Sequence, residues 1–172
     1  MGAVVGYTFS ASSVGSLLVA ATEQGLCSVK IGSDPSALFE NLRIELRRAD
    51  LRQADDELAQ LGATVRALAD GGPVALDLPL VVRGTAFQGR VWEALRRIPP
   101  GTTRSYTEVA SAIGMPAAVR AVANACGANP VALVVPCHRV VRTDGSLGGY
   151  RWGVGVKSEL LRREAARATN PV

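Results

Sequence analysis

The sequence predicts an α+β protein in two parts: a small N-terminal α/β domain packed on a mostly helical C-terminal domain. Three observations lead there. The first 80 residues mix short apolar runs with two helical patterns. Beyond residue 81 the pattern is mainly helical and carries two capping boxes and a short helix-breaking turn. The charge also changes sign between the halves: residues 1–80 hold 6 basic and 10 acidic side chains, residues 81–172 hold 13 and 5. The division is therefore placed at 1–80 and 81–172 of the 172 residues.

In the first part, 4–9 reads as a strand. The runs 16–22 and 26–31 flank Glu23-Gln24-Gly25, a hairpin signal. Helical patterns follow at 35–48 and 55–69, where Leu58, Leu61, Val65 and Leu68 recur at helical spacing. Gly71-Gly72-Pro73 breaks the chain, and 74–80 reads as a further strand. No chemically suggestive constellation falls in this half, so support is its expected role.

In the second part, Thr85 and Gln88 form a capping box ahead of the stripe Phe87, Val91 and Leu95. Pro99-Pro100-Gly101 ends that helix. Ser105 and Glu108 repeat the box before a second helix. Gly114-Met115-Pro116 makes a turn, with Pro116 suited to the first position of a third helix over 117–126, which Gly127 can cap. Two helices joined by so short a turn match either a DNA-binding helix-turn-helix or a plain helical hairpin. The third helix is rich in alanine, among them Ala118 and Ala121, with Arg120 the only charged side chain. The C-terminal excess of arginine suits phosphate, because a guanidinium can bind it bidentately. A terminal helix is expected over 157–168.

The chemistry centres on Pro136-Cys137-His138-Arg139-Val140, which follows the apolar run 131–135 and contains the single histidine of the chain. A thiol reacts mainly as thiolate, and a neighbouring base can generate it. Adjacent side chains on a regular strand point to opposite faces, so a Cys137–His138 contact would require a turn. Glu159 and Glu164 are both candidates to orient the histidine. A Cys-His-Glu set would equally serve a hydrolase or acyltransferase. Three cysteines without a C-x-x-C pair argue for a reduced compartment and against a zinc site, so no metal and no cofactor are expected. No apolar run approaches membrane-spanning length, and residues 1–10 lack a basic signal-peptide start. A cytoplasmic protein without membrane contact is the expectation.

Together these segments resemble the O(6)-alkylguanine-DNA alkyltransferases. The pentapeptide around Cys137 is similar to their acceptor-site signature. Arg83-Gly84-Thr85-Ala86-Phe87-Gln88, Ser105-Tyr106, Arg120-Ala121-Val122, Asn129-Pro130 and Gly149-Tyr150 resemble further family motifs, in family order. Arg139-Val140-Val141-Arg142 and Gly149-Tyr150-Arg151-Trp152-Gly153-Val154 are most similar to the C-terminal domain of the bacterial adaptive-response (Ada) proteins. The match is dense over 81–166 and sparse over 1–80.

The resemblance implies a ribonuclease H-like N-terminal domain and a suicidal DNA repair reaction. Cys137 would irreversibly take the alkyl group of O(6)-alkylguanine, with O(4)-alkylthymine as a second lesion. It implies His138 as general base, Glu164 as its orienting carboxylate, Asn129 as a tie between helix and acceptor segment, and Tyr106 as donor to the leaving base. Ala118, Arg120 and Ala121 would lie in the minor groove, Arg120 filling the stack that the flipped base leaves. Val140, Gly149, Tyr150 and Arg151 would line the base pocket, and the bulk of Arg151 would restrict large alkyl groups. The implied partner is double-stranded DNA bearing alkylated guanine, bound by a monomer; a separate adaptive-response regulator protein is a further candidate partner. Two non-repair readings, an operator-binding regulator and a lesion sensor, fit the presence of Cys137 less well.

Overall fold

The computed structural model describes residues 2–72 and 77–169. β1 (Val4–Ser12), β2 (Gly15–Thr22) and β3 (Gly25–Gly32) form an antiparallel meander, and β4 (Asp50–Gln53) adds parallel to β1, giving the order β3-β2-β1-β4. The hairpin expected at Glu23-Gln24-Gly25 joins β2 to β3. β2 is a continuous apolar run because both sheet faces are covered. Leu18 and Ala20 meet Leu38 and Leu42 of α1 (Pro35–Glu45), whereas Leu17 and Val19 meet Val65 and Leu68 of α2 (Ala59–Ala69).

The differences from the sequence reading have local causes. α1 ends at Glu45, three residues early, where the Leu46 amide closes on Leu42 O. α2 begins at Ala59 rather than 55, because Asp55 is engaged by Thr8 Oγ1 at 2.8 Å and Gln53 Nε2 at 2.9 Å, and a turn fills 55–58. β4 was not expected: four mostly polar residues at a sheet edge carry no apolar alternation. The strand anticipated over 74–80 lies partly outside the described residues; Leu80 makes a parallel bridge to Leu26.

The C-terminal part comprises α3 (Ala86–Arg96), β5 (Arg104–Ser105), α4 (Tyr106–Ala112), α5 (Val119–Gly127), a 3₁₀ turn (Cys137–Arg139), β6 (Val140–Val141) and α6 (Val154–Thr169). β5 and β6 pair in parallel, a short ladder too small to show in the sequence. Both capping boxes are present, at Thr85/Gln88 and Ser105/Glu108. Trp92 Nε1 donates to Ala125 O at 2.9 Å, fixing α3 against α5. Arg90 reaches from α3 to the Ile113 carbonyl in the turn between α4 and α5. α5 starts later than the proline suggested: Pro116 and Ala117 belong to a turn that the Ala118 amide closes on Met115 O, and Gly127 is the last helical residue rather than a residue past its end. Among the described residues no helix is long and apolar enough to cross a membrane.

The free edge of β3 joins the two parts. Leu26 N donates to Pro79 O and Val81 N to Leu26 O, at 2.9 and 2.8 Å. Further along, Val29 N donates to Pro130 O at 3.0 Å, and Val29 bridges Val131. An edge that could otherwise pair with another chain is thereby closed by the segment leading to Cys137. Gly25 is required here: its φ is +152°, and a Cβ would stand 2.5 Å from Pro79 O. Thr85→Ala is expected to lower stability by about 1 kcal/mol through loss of the α3 cap; chemical denaturation of the variant against the parent measures it.

Candidate functional site

The path from α5 to the thiol is a series of tight turns rather than a strand. Within 131–135, Val135 N closes on Val131 O and Leu133 adopts φ +73°, a backbone conformation disfavoured for a branched side chain. Asn129, at the end of α5, organises this segment. Its Oδ1 accepts from Val131 N at 2.9 Å, and its Nδ2 donates to Val135 O at 2.7 Å and to Cys137 Sγ at 3.3 Å. The 3₁₀ turn at Cys137–Arg139 then supplies the turn that the adjacent Cys-His pair requires.

His138 is 1% exposed, and its Nε2 lies 2.7 Å from Glu164 Oε1 of α6. Burial, opposed by Glu164, pushes the imidazole pKa below its ordinary value, so the neutral ring predominates. With Nε2–H donated to the carboxylate, Nδ1 is a lone-pair acceptor; it is buried without a protein partner. Arg139 binds the same carboxylate, Nε to Oε2 at 3.0 Å and Nη2 to Oε1 at 2.8 Å, and donates from Nη1 to Ile98 O at 2.7 Å. Burial raises the Glu164 carboxyl, but its bonds to His138 and Arg139 outweigh that and bring it to about 2. Of the two carboxylates left open by the sequence, Glu164 is the one at His138; Glu159 pairs with Arg162 and Arg163 on the surface of α6.

The Cys137 thiol is pushed up by burial, against the Asn129 hydrogen bond and the positive charge of Lys157, so it rests protonated. Tyr106 opens α4, and its hydroxyl is also raised by burial. It abuts Gly148, where φ is +71° and a Cβ would lie 3.1 Å from the phenol oxygen. Tyr150 is packed against the same apolar cluster as Cys137, with its hydroxyl buried and unpartnered. Val140 is fully buried beside the turn. On α5, Val122, Ala125 and Cys126 face the core, leaving Arg120 and Ala121 exposed and Ala118 half-buried at the N-cap.

The Arg151 side chain docks on a carboxylate and an indole ring. Its guanidinium turns toward the N-terminal domain, 3.3 Å from Asn41 Oδ1 and 3.6 Å from Glu45 Oε2, and stacks on Trp152. The attraction of a carboxylate and an indole face holds the side chain there.

Two residues escape a reading of the sequence. Arg139 stands there only as one letter of a motif, although it is 3% exposed and neutralises Glu164. Lys157 is fully buried, its Nζ donating to Val140 O at 2.7 Å, Leu147 O at 2.5 Å and Gly149 O at 3.2 Å, with the Tyr106 ring 5.8 Å away. A lysine in a charged terminal helix carries no signal that it will be buried.

Residues 5–82 match the ribonuclease-like domain of 6-O-methylguanine DNA methyltransferase, and residues 86–166 match its DNA binding domain. The chain is 50% identical over 161 residues to the bifunctional transcriptional activator/DNA repair enzyme Ada of Escherichia coli, covering 94% of this chain and 46% of that one. It therefore spans about half the length of that relative. The inducible methylated-DNA–protein-cysteine methyltransferase of Bacillus subtilis is 42% identical, covering 85% of this chain and 82% of that one. A crystal structure of Mycobacterium tuberculosis OGT in complex with DNA superposes with a TM-score of 0.78 at 36% identity, covering 94% of each chain.

The acid side of the stability profile tests the state of His138. Its folded pKa lies below the ordinary 6.5, so the unfolded chain takes up the proton first as pH falls. The His138 contribution is expected to weaken stability progressively below about pH 6.5. Urea unfolding of the parent and of His138→Asn above and below that value checks this. Identical pH slopes in the two proteins would contradict a neutral buried imidazole.

Proposed function

The chain belongs to the O6-methylguanine DNA methyltransferase family, and we propose that it repairs DNA by moving the alkyl group of O(6)-alkylguanine irreversibly onto Cys137. The observation that carries this reading is the buried thiol held by Asn129 on the same turn as a neutral histidine whose other nitrogen is bound to Glu164.

The chemistry follows from the protonation states. The resting thiol is a poor nucleophile, so its proton must leave as the reaction begins. Nδ1 of His138, the nitrogen that Glu164 leaves unprotonated, takes it by way of a water molecule. The resulting imidazolium is stabilised by the carboxylate it already faces. Sγ then attacks the alkyl carbon, an S–C bond forms, and the C–O6 bond breaks with its electron pair passing to the guanine. Tyr106, kept protonated by its raised pKa, donates a hydrogen bond to the developing negative charge. The proton held on His138 returns to the released guanine through solvent, and the thioether remains. Water does not readily cleave that bond, so each chain acts once.

The reacting carbon lies within a base stack, so the nucleotide must be extruded at a cost of a few kcal/mol. The exposed face of α5 suits that extrusion. Ala118 and Ala121 allow close approach to a minor groove, and Arg120 projects to fill the vacated stack. Minor-groove contacts carry little sequence information, which suits a protein that must act at any guanine. The main-chain groups of Val140, Gly149 and Tyr150 line the pocket for the extruded base.

Intact-protein mass measured after mixing with methylated duplex should show one methyl per chain in place of one hydrogen, absent in Cys137→Ala. A substoichiometric label, or one that survives that substitution, would refute the assignment. O(4)-methylthymine duplex assayed in parallel tests the second lesion. Arg120→Ala should slow repair of duplex DNA roughly fivefold or more, given a lost stacking contribution of about 1–3 kcal/mol, while sparing attack on free O(6)-methylguanine. Equal losses on both substrates would exclude the stack-filling role.

A further inference from the structure

The loop at 148–153 is held from two sides. At its start, Lys157 Nζ gathers the carbonyls of Leu147 and Gly149 from within the C-terminal domain. At its end, the two following side chains are captured by the N-terminal domain. Arg151 reaches Asn41 and Glu45 of α1 at 3.3 and 3.6 Å, and its guanidinium lies 4.5 Å from the Trp152 ring centroid. Trp152 packs against both apolar clusters of the molecule. Behind it lies Lys30 of β3, fully buried, with Nζ 2.5 Å from Glu45 Oε2 and 5.7 Å from the same indole ring.

Glu45 is the hub of this cluster. It is the only carboxylate that the ion pairs of the described residues give to either Lys30 or Arg151. Burial pushes the Lys30 ammonium pKa down, against the favourable pull of Glu45. A fully buried lysine needs such a partner, so Lys30 fixes the Glu45 carboxylate in place and thereby fixes where Arg151 can dock. Tyr150, whose half-buried ring packs against the apolar cluster that contains Cys137, immediately precedes the captured pair. The backbone that walls the base pocket is thus tethered to a domain that supplies no reacting group.

We infer that Glu45, with Asn41, is a positioning residue for the transfer step: through Arg151 and Trp152 it holds the pocket loop at the distance from Cys137 that the extruded base requires. This rests on the alkyl-transfer reading above. Releasing Arg151 would loosen the loop without touching α5, so the effect belongs to the step after DNA binding.

The test is a double-mutant cycle on the full chain with Glu45→Gln and Arg151→Gln. Single-turnover transfer from a methylated duplex gives the maximal rate, and unmodified duplex gives the affinity. Each single variant is expected to lower the maximal rate about three- to tenfold, the span of a 0.7–1.4 kcal/mol coupling at tenfold per 1.4 kcal/mol. Duplex affinity should stay within about twofold, and the double variant should be no slower than the slower single one. Additive losses, a loss confined to duplex affinity, or no loss would each overturn the inference. If Glu45→Gln does not fold because Lys30 is left unpaired, Arg151→Gln and Asn41→Ala keep the Lys30–Glu45 pair and decide the question by the same two readouts. Failure of the unsubstituted chain to take up methyl would count against the repair reading itself and is seen before any variant is made.

Discussion

Everything around the thiol depends on one buried carboxylate. Glu164 is shared between His138 and Arg139, and Arg139 in turn binds the carbonyl of Ile98 just beyond α3. Three segments distant in sequence are thereby joined at one point: α6, the 3₁₀ turn and the end of α3. A buried ion pair contributes little net stability compared with apolar packing, yet losing one partner leaves a charge stranded at a cost of about 3–5 kcal/mol. The arrangement therefore acts as a constraint on geometry. The turn has one position in which Arg139 and His138 both reach the carboxylate, and that position presents Cys137 to Asn129. Arg139 also explains how Glu164 can stay ionised while His138 stays neutral: the permanent positive charge is the guanidinium, which leaves the imidazole free to gain a proton in the proposed reaction.

That division resolves an apparent conflict at the thiol. A reactive cysteine usually has a depressed pKa, whereas burial pushes that of Cys137 upward. In the proposed reaction the nucleophile is used once and has little need to stand as thiolate. Kept protonated and nearly covered, it would be shielded from oxidants and stray electrophiles, and in the proposed reaction it becomes nucleophilic only when the base on the same turn withdraws the proton. The Asn129 amide and the Lys157 ammonium favour the thiolate once it forms.

Much of this was legible in the residues, and the illegible parts share a cause. The capping boxes at Thr85 and Ser105, the hairpin at Gly25 and the apolar stripes declare themselves because each is a local rule satisfied within a few residues. The helix-turn-helix geometry was readable for the same reason, although the start of α5 was not, since Pro116 fits a turn as well as a first helical position. Cys137 and His138 stood out by adjacency, and Glu164 by its place in the family pattern. β4, the β5–β6 ladder, the burial of Arg139 and Lys157 and the direction of the Arg151 side chain are set by partners far away in sequence. A charged residue advertises its charge and not its burial; Lys157 and Glu159 sit two positions apart on one helix, one fully buried and the other on the surface.

The N-terminal domain, read from sequence as mere support, has a more specific relation to the chemistry. Two of its contacts with the other half bear on the site. One is the edge of β3, where Val29 N binds Pro130 O and so fixes the chain between Asn129 and the turn at Leu133. The other is the cluster of Lys30, Asn41 and Glu45 on Arg151 and Trp152. The first holds the segment leading to the thiol and the second holds the 148–153 loop. Both originate on β3 and the helix that follows, since Val29 and Lys30 are consecutive and point to opposite faces of the same strand. One rigid strand therefore references both walls of the site to a single frame. A displacement of the sheet would move them together and preserve the gap between them, the dimension on which the proposed in-line transfer would depend.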